Sequence, residues 1–149
     1  MEHSLTGYCL DKSLGHLAAR FSRIILRRIN AVLVQHGLPI TSEQYSFLVQ
    51  LWDQNGLPQG ALADKTAKDK TTMARLAAGL ECRGLIVRLP NPGDARERLV
   101  CLTDKGKALM DEATELVRDI LAEAQQGIDE AQMEICRKVL RRACLNLQK

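Results

Sequence analysis

The sequence predicts a mainly α-helical protein that carries one small β-hairpin. Three observations lead to this fold class. Apolar residues recur at helical spacing over most of the chain, one short segment changes to strand character, and aromatic residues make up 3% of the composition. With so few aromatic side chains, Leu, Ala, Ile and Val must fill the interior, which suits packed helices better than a β-sandwich. The 149 residues are about the length of one domain, and we treat residues 1–149 as such.

The first half of the chain is predicted to form three helices. The first runs from about residue 11 to residue 35, where apolar residues form one stripe, and a glycine and a proline follow it. Thr41, with Gln44 three residues later, has the pattern of a capping box and opens the second helix. Pro58 is well placed as the first residue of a short third helix that runs to residue 65. The inner face of the second helix is expected to carry Tyr45, Leu48, Val49 and Trp52.

The next segment has the layout of a winged helix-turn-helix. A break at residues 66–68 precedes a fourth helix, which Asp69 caps and which continues to about Arg83. Residues 85–89 and 99–102 have strand character, and the polar loop between them is rich in turn-forming residues. Two short helices followed by a hairpin therefore place a DNA-binding lobe at about residues 41–102.

Two long helices complete the prediction, one from residue 104 to about 125 and one opened by Asp129. The apolar residues on the first and last helices exceed what one small lobe could cover. Since both ends of the chain carry such faces, we expect a homodimer held by residues 11–36 and 104–148. The alternative is a compact monomer in which these helices pair with each other. Cys136 and Cys144 are expected to be small core residues of the last helix.

Composition and motifs argue against several other classes of protein. No apolar run approaches the length of a membrane span, and the first residues lack the pattern of a secretory signal. Five cysteines without a CxxC pair predict reduced thiols in a cytoplasmic protein and no zinc site. Nucleotide-binding, metalloprotease and hydrolase motifs are missing, and the three histidines lack metal-ligand spacing. We therefore expect no enzymatic activity, no metal and no cofactor.

The residues expected to contact DNA lie on the fourth helix and in the loop of the hairpin. The net charge of the chain is +3, but residues 64–107 alone carry ten basic and six acidic side chains. A modest basic bias of this kind is compatible with contact to phosphates. An arginine at the tip of the loop could enter a narrow minor groove, and a nearby carboxylate could orient it. Taken in isolation, the same stretch also fits an ordinary solvated charged loop. The predicted DNA-contacting set is Gln59, Lys68, Lys70, Thr71, Thr72, Arg75, Asp94, Arg96 and Arg98.

Gly79 is unusual within the fourth helix. A glycine in a helix interior costs about 1 kcal/mol relative to alanine, so a specific reason for it is expected. Either the DNA or a neighbouring helix could approach closely at this position.

Several segments together resemble the MarR family of multiple antibiotic resistance regulators. They are Leu62-Ala63, residues 69–76, residues 80–86, Asp94-Ala95-Arg96 and residues 99–106, and the resemblance extends over about residues 10–148. It implies a triangular homodimer that binds a pseudo-palindromic operator, usually as a repressor released by a small ligand or by oxidation. It also implies that Thr71, Thr72 and Arg75 face the major groove and that Arg96 enters the minor groove. The turn at residues 66–68 departs from the family, because it lacks the usual glycine.

The resemblance also suggests where an effector would bind. In this family the ligand pocket lies between the dimer helices and the winged lobe, so the lining candidates here are His16, Arg20, Tyr45 and Trp52. Together they would suit a small aromatic or carboxylate effector. Two alternatives stay open: a redox-responsive regulator that uses Cys9, and a winged-helix module that binds protein. Salt dependence separates the last of these from a DNA-binding regulator, because contacts to phosphates weaken as salt rises.

Overall fold

A computed structural model describes residues 7–148, so both ends of the predicted 1–149 domain lie outside the described residues. Within this range the chain forms six α-helices and a three-stranded antiparallel sheet. The elements are α1 (Leu14–Gln35), α2 (Ser42–Asp53), β1 (Leu57–Pro58), α3 (Gln59–Thr66), α4 (Lys70–Cys82), β2 (Ile86–Leu89), β3 (Leu99–Leu102), α5 (Asp104–Ala124) and α6 (Glu130–Leu147). This order confirms the predicted winged helix-turn-helix between helical arms.

The helix starts follow local capping signals. The side chains of Thr41 and Gln44 form the predicted capping box of α2, and Asp129 and Gln132 do the same for α6. The prediction for α1 began three residues too early. Residues 10–12 form a short 3₁₀ turn instead, and Ser13 caps α1 by accepting a hydrogen bond from a backbone amide of its first turn.

Strand β1 was not predicted, and the assignment of Pro58 to a helix was wrong. Leu57 pairs with Val100 and Pro58 pairs with Leu99, so the sheet has the order β1-β3-β2. A proline is acceptable here because β1 lies at the edge of the sheet, where a missing backbone donor costs little. The predicted hairpin of β2 and β3 is present, and its register places Leu89 opposite Leu99 across the loop.

The hydrophobic core lies where the winged lobe meets the second half of α1 and the buried face of α5, which runs from Gly106 to Ile120. Its largest fully buried side chains are Leu33, Phe47, Leu48, Leu51, Leu62, Met73, Leu80, Leu85, Ile86, Val100 and Met110. Tyr45 belongs to this core as predicted, and burial raises the pKa of its hydroxyl. Trp52 does not, because its side chain is 40% exposed and its Nε1 donates to Asp111 of α5 at 2.9 Å.

Two helical faces stay uncovered in the protomer. On the first half of α1, Leu14, Leu17 and Phe21 are exposed, and no described residue of α6 is buried. The expectation that Cys136 and Cys144 are core residues was therefore wrong for the single chain, since both are exposed. Among residues 7–148, no helix has the length and apolarity that crossing a lipid bilayer requires.

Candidate nucleic-acid interface

The turn between α3 and α4 is closed by a left-handed alanine. Ala67 has φ +54°, and its amide donates to the carbonyl of Asp64 at 3.3 Å. The amide of Lys68 donates to the carbonyl of Ala63 at 3.1 Å, which completes the Schellman pattern. The chain thus reaches the geometry usually provided by glycine without having one. This turn sets the direction in which α4 leaves α3.

Helix α4 is oriented by its buried face and by its cap. Met73, Leu76, Ala77 and Leu80 are buried, as the helical spacing predicted. At the first turn, the amide of Thr72 donates to the carboxylate of Asp69 at 2.6 Å, and this hydrogen bond holds the pKa of that carboxyl below its ordinary value. The opposite face is therefore turned to solvent. It carries the exposed residues Lys70, Thr71, Ala74, Arg75, Ala78 and Gly79, with Thr72 half-buried beside them.

Two of the predicted DNA-contacting cations share a carboxylate that sequence reasoning missed. Glu43 of α2 lies 3.1 Å from Arg75 Nη2 and 3.7 Å from Lys68 Nζ. The Arg75 side chain remains 65% exposed, so this pair is a surface contact with little intrinsic stability. In the sequence Glu43 reads as an ordinary first-turn residue of α2. Nothing local places it beside residues 25 to 32 positions further along the chain.

Gly79 faces open space in the described part of the chain. A Cβ built at this position would meet no other residue within 4 Å, so the interpretation that Gly79 admits a neighbouring helix is wrong for residues 7–148. The protomer's own packing does not explain why α4 accepts a glycine here. Close approach of another molecule stays a prediction.

The wing is the loop between β2 and β3, residues 90–98, and it presents Arg96 to solvent. The Arg96 side chain is 94% exposed, and its Nε lies 3.6 Å from Asp94 Oδ1. That same oxygen accepts a shorter hydrogen bond, 2.9 Å, from the backbone amide of Arg96. Asp94 therefore shapes the loop more than it grips the guanidinium. Both residues lie where the hairpin prediction placed them.

The wing and the starts of α3 and α4 come together. Gln59, Lys70 and Glu97 line one cavity of about 200 Å³, although the three residues come from α3, α4 and the wing. A second cavity, of about 280 Å³, is lined by Gln59, Glu97 and three arginines of the sheet and wing: Arg88, Arg96 and Arg98. Arg88 was not among the predicted DNA-contacting residues, because an arginine within a strand has the pattern of an ordinary solvent-facing residue.

The four residues proposed to line an effector pocket lie in different environments of the protomer. Tyr45 is in the core, His16 is half-buried, and Arg20 is exposed on the uncovered half of α1. Trp52 lines a depression of about 480 Å³ between the end of α2 and the start of α5, with Thr103 and Lys107 among its other residues. The pocket between the dimer helices and the winged lobe therefore remains a prediction.

The comparison with known sequences places these features in a family. The sequence pattern of the MarR family matches residues 40–97, from the start of α2 to the wing. The chain is 32% identical over 117 residues to the HTH-type transcriptional repressor NicR of Pseudomonas putida, which covers 77% of this chain and 72% of NicR. This chain belongs to the MarR family. The family consists of transcriptional regulators, so the predicted resemblance is confirmed.

A second relative matches more closely over a shorter stretch. The transcriptional regulator HosA of Escherichia coli O111:H- is 38% identical over 77 residues, which is 51% of this chain. The matched part spans 57% of HosA, so this chain covers little more than half the length of that relative.

Solved structures of MarR-family regulators have the same fold. CouR from Rhodococcus jostii RHA1, bound to p-coumaroyl-CoA, has a TM-score of 0.78 and 28% identity, covering 91% of this chain and 94% of CouR. A cysteine-to-serine variant of Escherichia coli MarR, complexed with operator DNA, has a TM-score of 0.74 and 26% identity, covering 87% and 92%. These likenesses confirm the winged helix-turn-helix fold between helical arms.

Proposed function

We propose that this chain is a sequence-specific DNA-binding regulator that represses transcription from a pseudo-palindromic operator as a homodimer. One observation carries the proposal: the exposed start of α4 and the wing converge, so that Lys70 of the helix and Glu97 of the wing line the same cavity. A single duplex can then meet both elements at once. The complex of E. coli MarR with operator DNA supports the same use of the fold.

The dimensions of α4 suit a major groove. Its 13 residues extend about 20 Å at 1.5 Å per residue. A helix of this size enters a groove about 12 Å wide when its outward side chains are small or can form hydrogen bonds. Thr71 and Arg75 provide hydrogen-bond donors on that face. In the second half of the helix, Ala78 and Gly79 have side chains small enough for DNA to approach closely. Arg96 then lies on the wing, the element expected to reach the neighbouring minor groove.

Homodimer formation is supported by the uncovered faces. Leu14, Leu17 and Phe21 of α1 are exposed, and a groove of about 320 Å³ between α1, α5 and α6 is lined mainly by apolar side chains. A soluble chain rarely leaves so much apolar surface in water, and a second copy would cover it. Two lobes related by a two-fold axis would read two half-sites, which explains a palindromic operator.

The direct test is fluorescence anisotropy on the intergenic DNA upstream of the coding sequence, against scrambled DNA of the same length, over a salt series. We expect tight, sequence-dependent binding that weakens steeply with salt. Arg75→Ala should weaken specific binding by about 5–150-fold, because a bidentate base contact contributes roughly 1–3 kcal/mol. Arg118→Ala, a change to an exposed arginine on α5, is the matched control and should bind like the wild type. Equal, weak binding to both duplexes would favour the protein-binding alternative.

We also propose that a small aromatic or carboxylate effector releases the operator. The basis is the set of His16 and Arg20 on α1 and Trp52 near the end of α2, and the p-coumaroyl-CoA ligand of CouR supports it by analogy. Titrating aromatic carboxylates into the protein–DNA complex tests it. An effector response that is unchanged in Arg20→Ala would remove Arg20 from the pocket. A catalytic role is not proposed, because the relatives named above are transcriptional regulators.

A further inference from the structure

One carboxylate of the wing reaches back to the start of α3. Glu97 is half-buried, and its Oε1 accepts a hydrogen bond of 2.9 Å from the backbone amide of Gly60. Gly60 is the second residue of α3, whose first amides have no partner within the helix. A carboxylate at this end also complements the positive end of the helix dipole. Glu97 therefore caps a helix that lies 37 positions away in sequence.

The start of α3 is shaped to accept this carboxylate. A Cβ at residue 60 would lie 2.8 Å from Glu97 Oε1, which is closer than real Cβ atoms approach other atoms. An alanine at this position would displace the end of the Glu97 side chain and disturb the contact. The residue that precedes α3 is Pro58, which offers no side-chain cap. Glu97 of the wing therefore supplies the side-chain cap that Pro58 does not provide.

The contact is distinct from the other hydrogen bonds of the wing loop. Asn91 Oδ1 accepts from the amide of Gly93, and Asp94 Oδ1 accepts from the amide of Arg96. The amide of Glu97 donates to the carbonyl of Asp94 at 3.3 Å. These bonds shape the loop internally, whereas the Glu97 side chain joins the loop to the body of the lobe. Arg96 and Arg98 are the neighbours of Glu97 in the sequence.

We propose that Glu97 is a positioning residue for DNA recognition. It anchors the wing on α3 and so limits the conformations of the loop that carries Arg96 before DNA binds. This rests on the proposed function. An anchored loop has less conformational freedom to lose on binding, so the entropic cost of binding DNA is lower and the affinity is higher. Glu97 itself carries the wrong charge for a DNA contact, and its contribution acts through the arginines beside it.

An electrostatic role of Glu97 and an anchoring role of Glu97 predict opposite changes in DNA affinity when this residue is substituted. If Glu97 acted through its charge alone, removing a carboxylate near the phosphates would tighten binding. If it anchors the wing, Glu97→Ala weakens binding although the protein becomes more positive. Glu97→Gln keeps an oxygen that can accept from the amide of residue 60, so it should retain the anchor. The sign of the effect therefore identifies the mechanism.

The experiment measures the affinity of the full chain for its upstream DNA in a double-mutant cycle. We expect Glu97→Ala to weaken binding about 3–10-fold, in line with freeing one or two ordered side chains. Glu97→Gln should bind at least as tightly as the wild type. Arg96→Ala should have a smaller effect in the Glu97→Ala background than in the wild type, because the loop is then already unanchored. Binding by Glu97→Ala that equals or exceeds the wild type, with additive effects of the two changes, would overturn the proposal.

Two further measurements keep the test independent of folding and of the operator. Gly60→Ala leaves Glu97 in place but obstructs the contact, so it should reproduce the weaker binding of Glu97→Ala. Without DNA, amide hydrogen exchange at residue 60 should accelerate in Glu97→Ala and not in Glu97→Gln. Unchanged exchange refutes the anchor itself. If the wild type shows no specific binding while exchange still accelerates, the proposed function fails and the anchor stands.

Discussion

The left-handed conformation of Ala67, in the turn between α3 and α4, predicts that a glycine at this position stabilises the protein. Ala67 has φ +54°, a conformation that costs an L-residue roughly 1–2 kcal/mol. Ala67→Gly removes that cost but gives the unfolded chain more freedom, which offsets about 0.4–1 kcal/mol. Since Ala67 is exposed, the lost methyl group contributes little packing. We expect a net stabilisation of about 0.5–1 kcal/mol, or roughly 2–3 °C in melting temperature for a chain of this size.

Urea unfolding followed by circular dichroism measures this change, at one fixed protein concentration because the proposed dimer makes stability concentration-dependent. Ala74→Gly is the matched control. It is an exposed alanine in the interior of α4, with ordinary helical geometry, so the same substitution should destabilise by about 1 kcal/mol. A stabilising change at residue 67 beside a destabilising one at residue 74 isolates the effect of the backbone conformation.

A loss of stability in Ala67→Gly similar to that in Ala74→Gly would refute the reasoning. It would mean that the turn does not hold residue 67 in the left-handed region in solution. The angle between α3 and α4 would then depend on the packing of α4 alone.

Four other substitutions have expected outcomes. Gly106→Ala should destabilise by about 3 kcal/mol or more, because a Cβ there would overlap the carbonyl oxygen of Leu85, whereas Gly79→Ala should stabilise by about 1 kcal/mol, and urea unfolding compares the two. Glu43→Gln should tighten DNA binding about 1.5–5-fold in anisotropy titrations, since it releases Arg75 from an exposed ion pair; weaker binding would show that the carboxylate orients the arginine instead. The pKa of Asp69 is lowered in the folded state. The ionised carboxylate therefore adds to the free energy of unfolding in full above the pKa of the unfolded chain, and this stabilisation is lost as pH falls through the pKa of the folded state. Acid unfolding of Asp69→Asn should lack that part of the pH dependence, and an unchanged profile would contradict it.

The helix and loop that carry the proposed DNA contacts lie where the sequence predicted them. Arg75 and Arg96 both stand exposed where the helical spacing and the hairpin pattern placed them. What sequence reasoning missed are the contacts between elements. Glu43 reaches α4 from α2, and Glu97 reaches α3 from the wing, across 32 and 37 positions of sequence. Such partners carry no local signal, since any exposed glutamate has the same pattern.

The sequence by itself determined the features that depend on neighbours three or four positions apart. The capping boxes at Thr41 and Asp129 and the apolar stripe of α4 are of this kind, because one turn of helix brings those residues together. The tertiary structure alone decided that residues 57–58 form a strand and that Ala67 closes the turn between α3 and α4. It also decided that Trp52 stays on the surface, where it donates a hydrogen bond to Asp111. Each of these follows from elements meeting in space after collapse, when burial and pairing outweigh local preference.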